Sequence, residues 1–298
     1  MGMLDCAAMA RPDPPHNVAI LLVSCPDRPG LVAALAQTLY GHGANILAAD
    51  QHTDAGAGMF FQRIRFDLAG LHTDRHTLER AVAEVAERFE MAFRIAYENE
   101  PKRMALFVSK YDHCLYDLLL RHQAGELPSE IACIVSNHPD LEPVARQFGI
   151  DYHVFPITKA NKAEQEKAEL ALLREERVDL VVMARYMQIL SADFISALPS
   201  RIINIHHSFL PAFQGGKPYH QALERGVKLI GATAHYATTD LDEGPIIEQD
   251  VVRTSHRDTV ADLIRKGRDV ERTALARAVR WHLEDRVIVY ENKTVVFA

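Results

Sequence analysis

The sequence predicts an α/β protein of two domains: a small unit of βαββαβ order over about residues 17–98, followed by a mostly parallel α/β domain over 102–298. Three observations carry that prediction. Strand-like alternation and helical spacing take turns within the first hundred residues. Beyond the polar stretch Glu98–Arg103 the pattern changes to short, wholly apolar strands separated by helical segments, as in a parallel sheet covered on both faces. The composition, 48% hydrophobic and 24% charged over 298 residues, is that of an ordinary globular chain with ample core.

Val18–Val23 is an apolar run that reads as a strand, and Asp27-Arg28-Pro29-Gly30 turns the chain into a helix over Leu31–Tyr40, with Leu31, Leu35 and Leu39 at helical spacing. Asn45–Gln51 is a second strand. In a third, Phe60, Gln62, Ile64, Phe66 and Leu68 share one face, while Arg63, Arg65 and Asp67 share the other and predict a wet side to the sheet. Asp74 is placed to cap a helix carrying Leu78, Val82, Val85 and Phe89, and Phe93–Tyr97 completes the unit.

In the second domain Met104–Val108, Ile131–Val135, Tyr152–Phe155, Leu180–Ala184 and Ile202–His206 are the strands, with helical segments such as Leu115–Gln123 and Lys162–Arg174 between them. Ligands of such sheets bind beyond the carboxyl ends of the strands, so polar residues there are the first candidates for chemistry. Residues 1–16, with Pro12, Pro14 and Pro15, are expected to form a flexible tail.

Charge and cysteine content narrow the function classes. The net charge of -7 is spread over both domains, with 8 Lys+Arg against 12 Asp+Glu in residues 1–98 and 25 against 28 thereafter, so neither has the basic bias of a nucleic-acid binder. Cys6, Cys25, Cys114 and Cys133 lack C-x-x-C spacing and read as reduced residues of a cytoplasmic protein. Neither a signal peptide nor a membrane-spanning run of roughly 20 apolar residues is expected.

The densest chemical candidate is Ile203-Asn204-Ile205-His206-His207-Ser208-Phe209-Leu210-Pro211. On a strand Asn204 and His206 project together while Ile203 and Ile205 face the packed side. Downstream, Gly231–Tyr236 reads as another strand, and the loop Ala237–Pro245 places acidic residues, Asp242 among them, beside a tight turn, so that a carboxylate can be brought to the imidazole. An amide donor, an imidazole and a carboxylate suit attack on a carbonyl. Spacing alone equally allows a hydrogen-bonded core histidine, a turn asparagine and a loop carboxylate. His206, His207, His220, His235 and Asp242 could ligate a metal, but their spacing matches no metal motif.

Asn204-x-His206, Ser208-Phe209-Leu210-Pro211 and Asp242-x-Gly244, with Thr233 and His235 upstream, resemble the 10-formyltetrahydrofolate-using formyltransferase fold, a Rossmann-like architecture, and within it most closely the formyltetrahydrofolate deformylases. The resemblance runs through IINIHHSFLPAF, GGKPYHQALERGVKLIGATAHY, LDEGPIIEQD and GRDVER. Cys25–Val32 resembles the loop-to-helix start of an ACT domain, which is ferredoxin-like and often binds amino acids.

The resemblance implies hydrolysis of 10-formyltetrahydrofolate to formate and tetrahydrofolate, supplying formate for purine synthesis and balancing the one-carbon folate pool. It implies Asn204, His206 and Asp242 as catalytic residues, and no metal or cofactor beyond the folate substrate. Met187, Gln188, Ile189 and Leu190 would meet the pterin, with Thr238, Asp240 and Gly244 on the opposite side. Asp27, Arg28, Pro29, Gly30 and Leu31 would form a regulatory site for an amino acid, glycine or methionine, in a homo-oligomer.

Relatives that formylate a glycinamide ribonucleotide carry a glycine-rich phosphate loop after their first strand. Here Ser109-Lys110-Tyr111-Asp112-His113-Cys114-Leu115 contains no glycine, which leaves water as the simplest acceptor. Transfer to an unphosphorylated amine, and a folate or amino-acid sensor without turnover, are the alternatives.

Overall fold

The structure, a computed structural model, describes residues 17–211 and 218–298; the tail expected over residues 1–16 lies outside the described residues. The chain divides between Glu100 and Pro101 into two compact units.

The first unit runs β1 (Val18–Pro26), α1 (Leu31–Gly41), β2 (Asn45–Asp54), β3 (Met59–Asp67), α2 (Arg75–Phe89) and β4 (Ala92–Tyr97). Its antiparallel sheet has the order β2-β3-β1-β4. Leu31, Leu35 and Leu39 of α1 and Leu78, Val82, Ala86 and Phe89 of α2 pack with Leu21, Val23, Ile64 and Phe66 in one core. Val85 falls at the margin of the α2 stripe and is only partly buried. The Asp74 carboxylate caps α2, accepting from the Thr77 N–H at 2.7 Å.

The predicted wet face needs correction, because Phe61 and Arg63 on β3 and Ile20 and Leu22 on β1 are buried too. These are the two inner strands, hemmed by neighbours on both sides, and the Asp50 carboxylate of β2 lies 3.9 Å from the Arg63 guanidinium. Alternation identified the faces of β3 but not how much water each one sees.

The second unit comprises β5 (Lys102–Val108), α3 (His113–Gln123), β6 (Ser129–Ser136), α4 (Glu142–Phe148), β7 (Tyr152–Val154), α5 (Lys162–Glu175), β8 (Leu180–Met183), α6 (Ala192–Ala197) and β9 (Ile202–His206). It continues with α7 (Pro218–Arg225), β10 (Leu229–Tyr236), β11 (Ile246–Arg253), α8 (Val260–Leu283), β12 (Val287–Tyr290) and β13 (Lys293–Val296). The seven-stranded sheet has the order β11-β10-β9-β8-β5-β6-β7, parallel from β9 to β7 with β10 and β11 antiparallel at one edge.

Successive strand residues feed two cores. Met104, Leu106, Ile203 and Ile205 pack against Ala274, Leu275 and Ala278 of α8, whereas Ala105, Phe107, Val181 and Ile202 pack against Leu173 of α5 and Phe194 of α6. Burial on both faces explains why the strands read as continuous apolar runs. Among the described residues no helix is long and apolar enough to cross a membrane. The chemistry-bearing residues gather where β5, β8 and β9 end.

Candidate active site

A cleft of about 570 Å³ opens at those strand ends. Ile203 and Ile205 are drawn into the core beneath it, which turns Asn204 and His206 together into the cleft. The antiparallel register sets Asn204 opposite His235 and His206 opposite Thr233.

That register decides the state of the amide. The Nδ1 of His235 lies 3.0 Å from the Tyr236 carbonyl, which can only accept, so this nitrogen carries the proton. Nε2 is then an acceptor and receives one N–H of Asn204 at 3.2 Å. Burial holds the His235 pKa down and keeps the ring neutral. With one N–H tied to His235, the second N–H of Asn204 is left to face the cleft.

His206 is fixed from the other side. Its Nδ1 lies 3.1 Å from an Asp242 oxygen, and its Nε2 is buried with no hydrogen-bond partner among the described residues. The hydrogen bond from His206 is the main cause of an Asp242 pKa below the ordinary aspartate value. A carboxylate on Nδ1 places that proton there and leaves the Nε2 lone pair free. Asp242 has φ +60°, an uncommon conformation for a residue with a side chain, held within a loop whose Glu243 carbonyl accepts from Asn292 at 2.8 Å.

The loop after β8 forms an apolar wall, with Met187, Gln188, Ile189 and Leu190 lining the cleft. It is pinned at four points. Tyr186 donates to Glu169 at 2.9 Å, Met187 N–H donates to Ser109 Oγ at 2.9 Å, Lys162 donates to the Ile189 carbonyl, and Ser191 N–H donates to Glu166 at 3.1 Å. None of these supports was singled out from the sequence, although Lys162, Glu166 and Glu169 recur at i, i+4 and i+7 and mark one face of α5.

Of the remaining expected substrate contacts, Thr238 lines the cleft but Asp240 and Gly244 do not. Asp240 points to solvent and its carbonyl accepts from Thr238 Oγ1 and the Glu243 N–H, closing the turn. Gly244 is buried behind the loop, where a Cβ would come within 1.8 Å of the Tyr236 carbonyl oxygen. A glycine at this position leaves space for the backbone of Tyr236. Gly215, Gly216 and Lys217 lie outside the described residues.

A second polar group lines the same cleft. Glu271 of α8, almost wholly buried, accepts from Tyr219 at 2.9 Å and pairs with His113 at 2.8 Å and Arg185 at 3.5 Å. Hydrogen bonding from His113 and the Arg185 charge outweigh burial and hold its pKa below the ordinary glutamate value. The Arg185 guanidinium stacks 4.9 Å from the Tyr111 ring centre. His113, Cys114 and Glu271 are close enough to share a metal ion, but Arg185 already supplies positive charge there; these are not the histidines weighed as ligands. The polypeptide after β5 thus contributes Tyr111 and His113 to the lining of the cleft.

His207 sits between the two groups, its ring centre 5.1 Å from that of His206 and 6.3 Å from that of Tyr219. Burial, then the Arg185 charge, pushes its pKa from 6.5 to about 4. Between about 6.5 and about 4 the unfolded chain takes up a proton that the folded protein refuses, so this contribution is complete above 6.5 and is lost as pH falls. Buried Glu169, raised to about 7, acts oppositely over part of that window. The comparison that isolates His207 is thus wild type against His207→Gln: the variant should lose less Tm between pH 6.5 and 4, measured by calorimetry.

In the first unit, Gly30 has φ +96° and begins α1, Leu31 is buried in the core, and Asp27 and Pro29 are exposed. Arg28 pairs with Glu90 at 2.9 Å. These five residues follow one another through the turn that leads from β1 into α1.

Residues 102–279 match the formyl transferase family, and residues 19–87 match the ACT domain. The chain is 60% identical over 280 residues to the formyltetrahydrofolate deformylase of a Synechocystis strain, covering 94% of this chain and 98% of that protein. It is 55% identical over 278 residues to that of Bacillus subtilis, covering 93% of each. The crystal structure of a formyltetrahydrofolate deformylase from Pseudomonas syringae pv. tomato superposes with a TM-score of 0.92 at 47% identity, covering 94% of both chains. A glycinamide ribonucleotide transformylase from Symbiobacterium toebii is similar at 33% identity and a TM-score of 0.63, over 68% of this chain and 97% of that one.

Proposed function

The chain belongs to the formyltetrahydrofolate deformylase family, and from that premise we propose that its cleft hydrolyses 10-formyltetrahydrofolate to tetrahydrofolate and formate through Asn204, His206 and Asp242. The observation that carries the assignment of roles is the constellation at the end of β9: an amide N–H turned to the cleft, an imidazole nitrogen with no partner among the described residues, and a carboxylate 3.1 Å behind that imidazole.

The free N–H of Asn204 donates to the formyl oxygen as negative charge builds on it. His206 Nε2 takes a proton from water as the oxygen attacks the formyl carbon, and Asp242 stabilises the imidazolium that forms. The C–N10 bond then breaks, N10 receives the proton from His206, and formic acid departs, releasing its remaining proton to solvent to become formate. Every group in this sequence belongs to the chain or to the substrate, so no metal or further cofactor is invoked. The apolar wall Met187–Leu190 accepts the pterin, with Thr238 across the cleft.

Incubation of the pure protein with 10-formyltetrahydrofolate and no amine should release tetrahydrofolate and formate in equal amounts, also after chelation. Turnover only on addition of an amine would replace hydrolysis by transfer, and binding without turnover would leave a sensor. We also propose that the formate supplies purine synthesis.

The match of residues 19–87 to the ACT domain favours a regulatory reading for the first unit. An amino acid, glycine or methionine, would bind near Asp27–Leu31 in a homo-oligomer, and its effect on folate affinity must be reciprocated. Calorimetry with each amino acid, with and without folate, tests this; no heat with either refutes it.

A further inference from the structure

Tyr219 occupies a notch made for it. Gly267 lies in the middle of α8, where glycine is a poor choice and alanine a good one. A Cβ at Gly267 would stand 2.0 Å from the Tyr219 hydroxyl oxygen and 2.4 Å from Cζ. The missing methyl group lets the tyrosine ring lie across the helix and reach Glu271, one helical turn further on.

The tyrosine also occupies Glu271. One carboxylate oxygen of Glu271 accepts from Tyr219, and the other is held by His113 with Arg185 beside it. Without Tyr219, a buried and ionised carboxylate would present a free oxygen to the cleft, one imidazole ring away from His206. Such an oxygen would hold the N–H groups of an amine in reach of the formyl carbon.

We propose that Tyr219, seated against Gly267 and hydrogen-bonded to Glu271, is the specificity-determining wall that denies amines the space and the carboxylate they need, and so confines the reaction to water. The proposal rests on the hydrolytic reading above. In either branch the C–N10 bond breaks and N10 gains a proton; water loses protons to give formate, or the amine loses one to give a formamide. The wall acts on the choice between nucleophiles, not on the formyl group.

The test is a partition experiment on the full-length chain. 10-Formyltetrahydrofolate is supplied with a fixed concentration of glycinamide, and the ratio of formylglycinamide to formate is measured by mass spectrometry. Because both products arise from one formyl donor, loss of overall rate leaves the ratio unmoved. Tyr219→Ala should raise that ratio at least roughly tenfold, the scale on which a pocket discriminates by size and pairing. Gly267→Ala should raise it as well, since it displaces the tip of a side chain while improving the helix, and it serves if Tyr219→Ala does not fold. Tyr219→Phe, which keeps the ring in the notch, should change it by less than about threefold.

A ratio unchanged in both alanine variants would overturn the wall. So would a rise in Tyr219→Phe equal to that in Tyr219→Ala, because the hydroxyl alone would then decide. Failure of the hydrolytic reading is seen separately, in a wild-type protein that makes no formate when amine is absent.

Discussion

Asn204→Ala, His206→Ala and Asp242→Asn are each expected to lower kcat by about 10²- to 10³-fold, with much smaller changes in KM. Each residue is assigned an interaction that exists only as the formyl carbon becomes tetrahedral, and such interactions appear in kcat. For Asp242→Asn the mechanism is specific. A carboxylate accepts the Nδ1 proton of His206, whereas an amide can present a donor in the same place, moving the imidazole proton to Nε2 and removing the base. Combining any two substitutions should cost little more than the worse of the pair, because the groups act on one transition state. Steady-state rates of tetrahydrofolate release decide the matter; near-wild-type kcat in any of the three would remove that residue from the proposed mechanism.

Gly244→Ala is expected to be nearly as severe by a different route. The added Cβ would meet the Tyr236 carbonyl oxygen at 1.8 Å and Thr238 Cγ2 at 3.2 Å, and a backbone atom cannot swing aside as a side-chain tip can. The loop must move, breaking the hydrogen bond from Tyr236 N–H to the Pro245 carbonyl at 2.9 Å, and Asp242 lies two residues away. Relieving such an overlap costs roughly 1–3 kcal/mol and lowers Tm by several degrees. Displacing Asp242 by about 1 Å should lower kcat about a hundredfold in the protein that remains folded. Thermal unfolding and kinetics on the same preparation separate the two losses. Wild-type Tm and kcat would mean that the loop does not pack against Tyr236 as described.

Much of the candidate site was legible in the sequence because it obeys a period of two. Asn204 and His206 are flanked by Ile203 and Ile205, so burial of the isoleucines forces the polar pair into the cleft whatever else the fold does. The helical stripes of α1 and the cap at Asp74 were legible for the same local reason. A loop has no period, so Asp242 was paired with the imidazole specifically only through the resemblance; the same resemblance named Asp240 and Gly244, which the structure places at the surface and against Tyr236. The acidic face of α5 and Glu271 in α8 were unreadable because charged residues on amphipathic helices usually face water, and nothing local distinguishes the few that turn inward.

The sequence by itself determined the βαββαβ and βα alternation, the paired residues of β9, and, through its motifs, the family. Tertiary contacts alone set which tautomer His235 adopts, that Lys162 and Ser109 hold the apolar wall Met187–Leu190, and that Gly267 admits Tyr219 to Glu271. The physical reason is range. Periodicity is set by neighbours within one strand or helix, whereas a proton's position or a missing methyl group has meaning only against an atom delivered by another element, 48 residues away in the case of Tyr219 and Gly267.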